Sequence, residues 1–260
     1  GLEYTSGPSE DLKYVDQIHQ YYRYFYEHNI PVDMVSAEDT FAGYKVVAAP
    51  VLYMVKEGMK EALTAFVKQG GILILTYMSG IVDQSDNVYL GGYPGPLREL
   101  AGVWVEEIDA LFPDQKNQMI FADGREAECG LVCDIMHLEG AEALAVYGSD
   151  FYKDSPVVTR NAYGEGSTYY IGSDPSEEGI EMILDKVREE AGISGASGKQ
   201  AGLEIVSRWN GEQEYCFLMN FTDQVLPVPE RFAGKEDLLT EKAVERGETM
   251  KKYDVKIVKM

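Results

Sequence analysis

The spacing of apolar side chains divides the first part of the sequence into a helix and two buried strands. Over residues 11–29 apolar residues recur every three or four positions, which predicts an amphipathic helix. Uninterrupted apolar runs at 44–50 and 72–77 are typical of strands buried on both faces of a parallel sheet. A helix is predicted between them, over 56–68. This order of strand, helix and strand predicts a βαβ unit and a layered α/β domain.

The pattern changes after the second strand. Residues 78–98 are rich in Gly, Asp and Pro, and connections of this length are uncommon inside compact domains unless they have a function. Residues 103–172 favour strands, at 103–108, 131–138 and 144–147 and in a hairpin around 164–166. A final helix is predicted over 176–190, with the Asp-Pro pair at 174–175 as its N-cap and first turn.

The C-terminal quarter has a different composition. Residues 192–202 are mostly Gly, Ser and Ala, which predicts a flexible linker. Short alternating runs follow over 203–260 and predict a small antiparallel β domain. We therefore expect an α/β domain over 1–191, a linker over 192–202 and an all-β domain over 203–260.

Charge and cysteine content narrow the classes of partner. The 44 acidic and 23 basic residues give a net charge of −21, which argues against nucleic acid and against an anionic membrane surface. An apolar run of 18 residues is absent from the sequence, so we expect no membrane span. Cys129, Cys133 and Cys216 lack a zinc or disulfide spacing, and as reduced core residues they favour a cytoplasmic location. The first residues, without Met or a signal sequence, predict that the chain belongs to a longer protein.

Motifs for catalysis are absent from the sequence. Neither a dinucleotide-binding nor a P-loop glycine pattern occurs at a strand-to-helix turn. Ser79 follows a predicted buried strand but lacks the GxSxG spacing of a nucleophile elbow. The histidines at 19, 28 and 137 are interpreted as surface or packed residues. We therefore predict no catalytic residue, no metal and no cofactor for this chain.

Several long segments are distinctive in combination. They are YVDQIHQYY at 14–22, NIPVDMV at 29–35, YKVVAAPVLYMV at 44–55, GGILILTYMSGIVD at 70–83, LGGYPGPLR at 90–98 and VTRNAYGEG at 158–166. Together these segments resemble glycoside hydrolase family 42, the β-galactosidases. Met78 stands where that family usually has Trp before Ser-Gly.

The resemblance implies that catalysis and assembly belong to different domains of the parent enzyme. In this family an N-terminal barrel contains the acid/base and nucleophile glutamates, and it would precede residue 1. The middle domain, similar in fold to class I glutamine amidotransferases, supports a homotrimer, and a small β domain follows it. The amidotransferase Cys nucleophile has no counterpart at 77–80. The chain is thus expected to be the non-catalytic assembly portion of an enzyme that cleaves terminal β-D-galactosides bound in its barrel.

Segment 78–98 is the candidate contact surface, because it combines apolar anchors, rigid turns and Arg. We predict that Met78, Tyr89, Tyr93 and Arg98 lie at a subunit contact or beside a neighbouring barrel. The alternative for the segment is packing on its own domain only. The alternatives for the chain are a free-standing amidotransferase-like sensor of a sugar or metabolite, and a hydrolase that uses Ser79.

Overall fold

The computed structural model describes residues 10–193, 199 and 201–260. The chain is organised as two compact units. The first contains Gly1–Tyr21 and Val35–Gly192, and the second contains Tyr22–Met34 and Ile193–Met260. The division falls inside the first helix, whose uninterrupted periodicity gives no sign of it.

The first unit is a layered α/β structure, which confirms the predicted fold class. Its described strands form one nine-stranded sheet in the order β1-β2-β8-β7-β6-β4-β5-β3, with β9 paired to β5. The β1–β2 and β2–β8 pairs are parallel, and the other pairs are antiparallel. The elements are α1 (Tyr14–Glu27, shared with the second unit), β1 (Val46–Ala49), α2 (Met59–Lys68), β2 (Ile72–Thr76), α3 (Arg98–Ala101), β3 (Val103–Ala110), β4 (Asn117–Phe121), β5 (Glu126–Leu138), β6 (Glu142–Tyr147), β7 (Pro156–Tyr163), β8 (Gly166–Ile171), β9 (Ser173–Pro175) and α4 (Glu177–Glu190).

The βαβ unit predicted from the apolar runs is present, with one difference. Every residue of β2 is buried, as expected for a strand with neighbours on both sides. In β1 only Val47 is buried, because β1 lies at the end of the sheet and pairs with β2 alone. Helix α2 covers this part of the core with Met59, Leu63, Phe66 and Val67, whose spacing places them on one helix face.

The start of α4 differs from the prediction. Asp174 and Pro175 belong to β9, because their backbone pairs with β5, and the helix begins after them. Ser176 is the N-cap, and its hydroxyl oxygen accepts a hydrogen bond from Gly179 N at 3.3 Å. A second difference is β4, which the sequence did not predict; polar Asn117 and Gln118 open this short strand.

The second unit is a small β structure, as predicted, with a helical addition from the first part of the chain. Its described strands form a five-stranded sheet in the order β10-β11-β16-β13-β14 and a two-stranded ribbon of β12 and β15. They are β10 (Leu203–Trp209), β11 (Glu214–Asn220), β12 (Leu226–Pro227), β13 (Glu236–Asp237), β14 (Lys242–Ala243), β15 (Thr249–Met250) and β16 (Val255–Lys259). Leu218, Phe232, Met250 and Val258 are fully buried at the centre of its core.

Helix α1 ends in the second unit with a Schellman motif. Ile30 N donates to Phe25 O at 2.9 Å, and Asn29 N donates to Tyr26 O at 3.0 Å. Asn29 takes the left-handed conformation that this motif requires, with φ of 55°. None of the helices in the described part of the chain has the length and apolar character needed to cross a bilayer.

Candidate assembly surface

Segment 78–98 leaves the sheet through a tightly bonded corner. Thr76 Oγ1 accepts a hydrogen bond from Val51 N at 2.7 Å, and Ser79 Oγ donates to Thr76 O at 2.6 Å. Ser79 is fully buried, so its hydroxyl closes the strand and is not presented to a substrate. This geometry gives no support to a hydrolase that uses Ser79. Met78 adopts a φ of 56° and packs, half-buried, beside Tyr77 in the interior of the first unit.

The middle of the segment is a turn held by one carboxylate. Asp83 Oδ1 accepts hydrogen bonds from Ser85 N at 2.8 Å and from Asn87 N at 3.0 Å. These backbone donors lower the pKa of Asp83 below its usual value. Tyr89 N then donates to Ile81 O at 2.9 Å, which returns the chain alongside its outgoing path. The segment is thus an ordered loop with internal hydrogen bonds.

Tyr89 and Tyr93 are attached to the domain that bears them. The Tyr89 hydroxyl donates to Val55 O at 3.1 Å, and both rings pack, half-buried, against the core. The backbone of Tyr93 bonds to that of Val105 in both directions, at 2.9 and 3.3 Å, so the segment lies along β3. Gly80 permits this return, because a Cβ there would collide with the carbonyl of Pro94.

Arg98 closes the segment with a forked ion pair. Its Nε and Nη2 donate to the two carboxylate oxygens of Glu139, which lies just after β5. Its Nη1 donates to Gly91 O at 2.9 Å. The guanidinium holds the pKa of Glu139 below its usual range. Arg98 therefore ties the tip of the segment to the far end of the sheet.

Trp104 of β3 contacts two cationic or ionisable side chains. The Arg98 guanidinium carbon lies 5.3 Å from the centre of the indole, and the His137 ring stacks on it at 4.9 Å. His137 Nε2 in turn contacts Glu106 Oε2 at 2.7 Å. These contacts attach segment 78–98 to β3 and β5 through Trp104.

Among the described residues of the first unit, the most exposed large apolar side chain lies at the tip of this fixed segment. Leu90 is 95% exposed, and Val88 is also exposed, whereas Tyr89 between them turns inward. We call Val88 and Leu90 the apolar tip. The alternation of 88, 89 and 90 is a signal that could have separated outward from inward residues, and sequence analysis missed it.

Of the four residues selected from the sequence, Tyr89 and Tyr93 pack against the same core cluster, whereas Arg98 pairs with Glu139. Met78 lies apart from them, at the corner where the segment leaves β2. Their role at a subunit contact stays a prediction. Since the rings of Tyr89 and Tyr93 also serve their own domain, the apolar tip is the cleaner candidate for a contact.

The fold defines a pair of modules, an α/β domain followed by a β domain. Comparison with known proteins specifies which. The model of the β-galactosidase trimerisation domain matches residues 1–194, and the model of the β-galactosidase C-terminal domain matches residues 202–260. The chain belongs to the glycoside hydrolase family 42 β-galactosidases, of which it represents these two domains.

Individual relatives agree with this assignment. β-Galactosidase LacA of Lactobacillus acidophilus is 42% identical over 258 residues, which are 99% of this chain and 38% of that protein. β-Galactosidase BgaA of a Planococcus species is 42% identical and is covered over 39% of its length. The crystal structure of the β-galactosidase from Bacillus circulans sp. alkalophilus superposes with a TM-score of 0.92 at 40% identity, covering 98% of this chain and 38% of that one.

The chain thus spans less than two fifths of the relatives that it matches. The two domain models account for nearly all of its 260 residues, which leaves no room among them for a catalytic barrel. The matches favour the assembly portion of a β-galactosidase over a free-standing amidotransferase-like sensor.

Proposed function

We infer that this chain holds three copies of a β-galactosidase together, while a separate barrel of the parent enzyme cleaves terminal β-D-galactosides. The observation that carries the proposal is Leu90, which lies almost fully exposed on a segment that is otherwise anchored at both ends. An exposed leucine contributes nothing to the stability of its own domain, whereas it stabilises an interface once it is buried there.

The rigidity of segment 78–98 supports this assignment. Association costs less free energy when the contacting residues are ordered beforehand. Here the turn at Asp83, the backbone pairing of Tyr93 with Val105, and the forked bond of Arg98 fix the position of the apolar tip. The contact surface would therefore exist before the partner arrives.

Charge predicts how such an assembly responds to salt. Each copy carries a net charge of −21, so three copies repel one another at low ionic strength. Added salt screens that repulsion over a Debye length of about 8–10 Å at 0.1–0.15 M, while burial of the apolar tip is not screened. Self-association of this chain should therefore strengthen as salt is raised from about 0.02 to 0.3 M.

The test is the mass of the chain by light scattering across a concentration series at each salt. We expect a species of three times the chain mass. Leu90→Asp should raise the dissociation constant about tenfold or more, as loss of an interface anchor does. Leu239→Asp is the matched control, because Leu239 is 56% exposed and lies in the second unit. Equal masses for both variants would exclude Leu90 from the contact, and a wild-type monomer at every salt would overturn assembly by this chain.

Catalysis is tested separately. The pair of carboxylates needed for glycoside cleavage is assigned to the barrel. We therefore expect the purified chain to release no product from a chromogenic β-galactoside. Turnover that persisted through purification and disappeared on substitution of one acidic residue of this chain would contradict the proposal.

A further inference from the structure

Strand β5 has an irregularity where it pairs with β9. Cys129 lies opposite Pro175 and Gly130 opposite Asp174, but the next pair is Cys133 with Ser173. Three steps along β5 therefore correspond to a single step along β9. The additional residues form a bulge, inside which Leu131 adopts a φ of 59°.

The bulge brings two cysteines together that a regular strand would keep apart. Residues four apart in a strand are separated by about 13–14 Å, whereas residues two apart are separated by about 7 Å and share a face. Pro175 and Ser173 are two apart, so their partners Cys129 and Cys133 are neighbours on one face. The two cysteines also share a polar neighbour, because Ser173 lies opposite Cys133 in the pairing and its hydroxyl contacts the Cys133 sulfur.

The surroundings isolate this pair from other thiols. Both sulfurs are buried, and Cys133 Sγ lies 3.6 Å from Ser173 Oγ. The third cysteine, Cys216, belongs to β11 in the second unit, where its sulfur lies 3.4 Å from Ser207 Oγ. Disulfides join residues whose Cα atoms are usually about 4.4–6.8 Å apart. The spacing of about 7 Å expected for residues opposite two positions that are two apart in a strand lies at the upper limit of that range.

We propose that Cys129 and Cys133 form a dithiol that a peroxide converts reversibly into a disulfide within the β5 bulge. The Cys133 thiolate attacks one oxygen of hydrogen peroxide, the O–O bond breaks, and Cys133 becomes a sulfenic acid. The Cys129 sulfur then attacks the Cys133 sulfur, and the hydroxyl leaves as water with the Cys129 proton. Two thiols lose two electrons and two protons, and one peroxide yields two waters.

The order of attack follows from the opposite pKa shifts of the two neighbouring thiols. The neighbouring Cys129 thiol lowers the pKa of Cys133. The neighbouring Cys133, together with burial, raises the pKa of Cys129. The thiolate is the nucleophilic form, so Cys133 reacts first and Cys129 resolves the sulfenic acid. Because the Cα spacing is at the upper limit, the disulfide is strained and mild thiols should reduce it.

The experiment treats the wild-type chain with hydrogen peroxide under native conditions, removes the oxidant with catalase, and alkylates the remaining thiols after unfolding. Trypsin cleaves after Lys and Arg. It releases residues 126–153 as one peptide, because neither residue type occurs between Arg125 and Lys153. We expect this peptide to lose two hydrogens and to take no alkyl group. Dithiothreitol should restore two alkylatable thiols. Cys216 is the internal control and should remain alkylatable.

Two variants keep the inference testable. In Cys129→Ala the Cys133 sulfenic acid has no resolving partner and should be trapped by dimedone. In Cys216→Ser the pair should oxidise as in the wild type. Two alkylated cysteines in the peptide after oxidation, or over-oxidation of one of them while the other stays free, would overturn the proposal. So would a disulfide that included Cys216.

Discussion

The side-chain oxygen of Asn29 accepts a hydrogen bond at 2.7 Å from the backbone nitrogen of Ile205, 176 positions later in the chain. Ile205 belongs to β10, the edge strand of the second unit, and that nitrogen is buried. The same Asn29 takes the left-handed conformation that ends α1. Asn29 therefore ends helix α1 and also provides the hydrogen-bond acceptor for a backbone nitrogen of edge strand β10.

Substitutions at Asn29 should separate these two roles. Asn29→Gly keeps the left-handed backbone but leaves the Ile205 nitrogen without its acceptor, which should cost about 1–3 kcal/mol. Asn29→Ala adds the strain of a left-handed non-Gly residue, about 1 kcal/mol more. Asn29→Asp retains an acceptor and is the matched control. Thermal melts and hydrogen exchange of the Ile205 amide should rank stability as wild type and Asp, then Gly, then Ala; a Gly variant as stable as the wild type would contradict the assigned role of the side chain.

The linker predicted over 192–202 leads to a second test. Residues 194–198 and 200 lie outside the described residues, so the prediction rests on composition. We expect a protease at low concentration to cut first within 192–202 and leave a fragment of about 190 residues. Because residues 22–34 belong to the second unit, the C-terminal fragment should stay bound to the larger one on gel filtration and separate only in denaturant. First cleavage elsewhere would argue against the linker.

Sequence patterning predicted the elements whose apolar character is continuous. The apolar run at 72–77 predicted β2 correctly. Every residue of this strand is buried, so no polar residue interrupts the run. Patterning did not predict β4. The alternate residues of this strand are buried, but it begins with the polar residues Asn117 and Gln118. Patterning predicted helix α1 but not the boundary inside it. The spacing of apolar residues is continuous along the helix, and it does not show that the two halves belong to different units.

The role of segment 78–98 at a contact stays a prediction, and the structure shows only how its side chains are arranged. Length and composition selected this segment, and the frequency of Tyr at interfaces selected its tyrosines. The structure turns Tyr89 inward and Leu90 outward, and that choice depends on Val55, whose carbonyl binds the tyrosine hydroxyl. A contact between residues so distant in sequence has no local signature. The same holds for Glu139, the partner of Arg98.

A buried carboxyl group should make stability depend on pH. Asp134 is fully buried, and this burial raises its pKa to about 8, against the opposing hydrogen bond from the Tyr170 hydroxyl at 2.7 Å. Between pH of about 4 and 8 the folded state holds a proton that the unfolded chain releases, so stability falls as pH rises through this window. Below it the contribution is complete, and above it the loss is complete.

Asp134→Asn should remove that contribution, because the amide cannot ionise but still accepts the hydrogen bond from Tyr170. The melting temperature of the wild type should fall more from pH 6 to pH 9 than that of the variant. Asp109→Asn is the control: Asp109 accepts from the Tyr152 hydroxyl at 2.9 Å on neighbouring β3, and its loss leaves Asp134 in place. Equal slopes for the wild type and Asp134→Asn would show that Asp134 is already ionised in the folded protein at pH 6.

The last prediction concerns Arg98, which fixes the apolar tip without contributing much to global stability. Its pair with Glu139 is about one third exposed on both sides, and such ion pairs stabilise a protein by less than about 1 kcal/mol. Arg98→Ala should therefore change the melting temperature little. Locally its effect should be larger, because the variant loses the bonds to Glu139 and Gly91 and the stacking on Trp104 together. Hydrogen exchange of residues 88–95 should accelerate, and self-association should weaken even though Leu90 is intact. Arg125→Ala is the matched control, since Arg125 pairs with Asp123 only two residues away and touches no part of the segment. If Arg98→Ala loosened the segment but left the assembly unchanged, ordering of the apolar tip would not be what the contact requires.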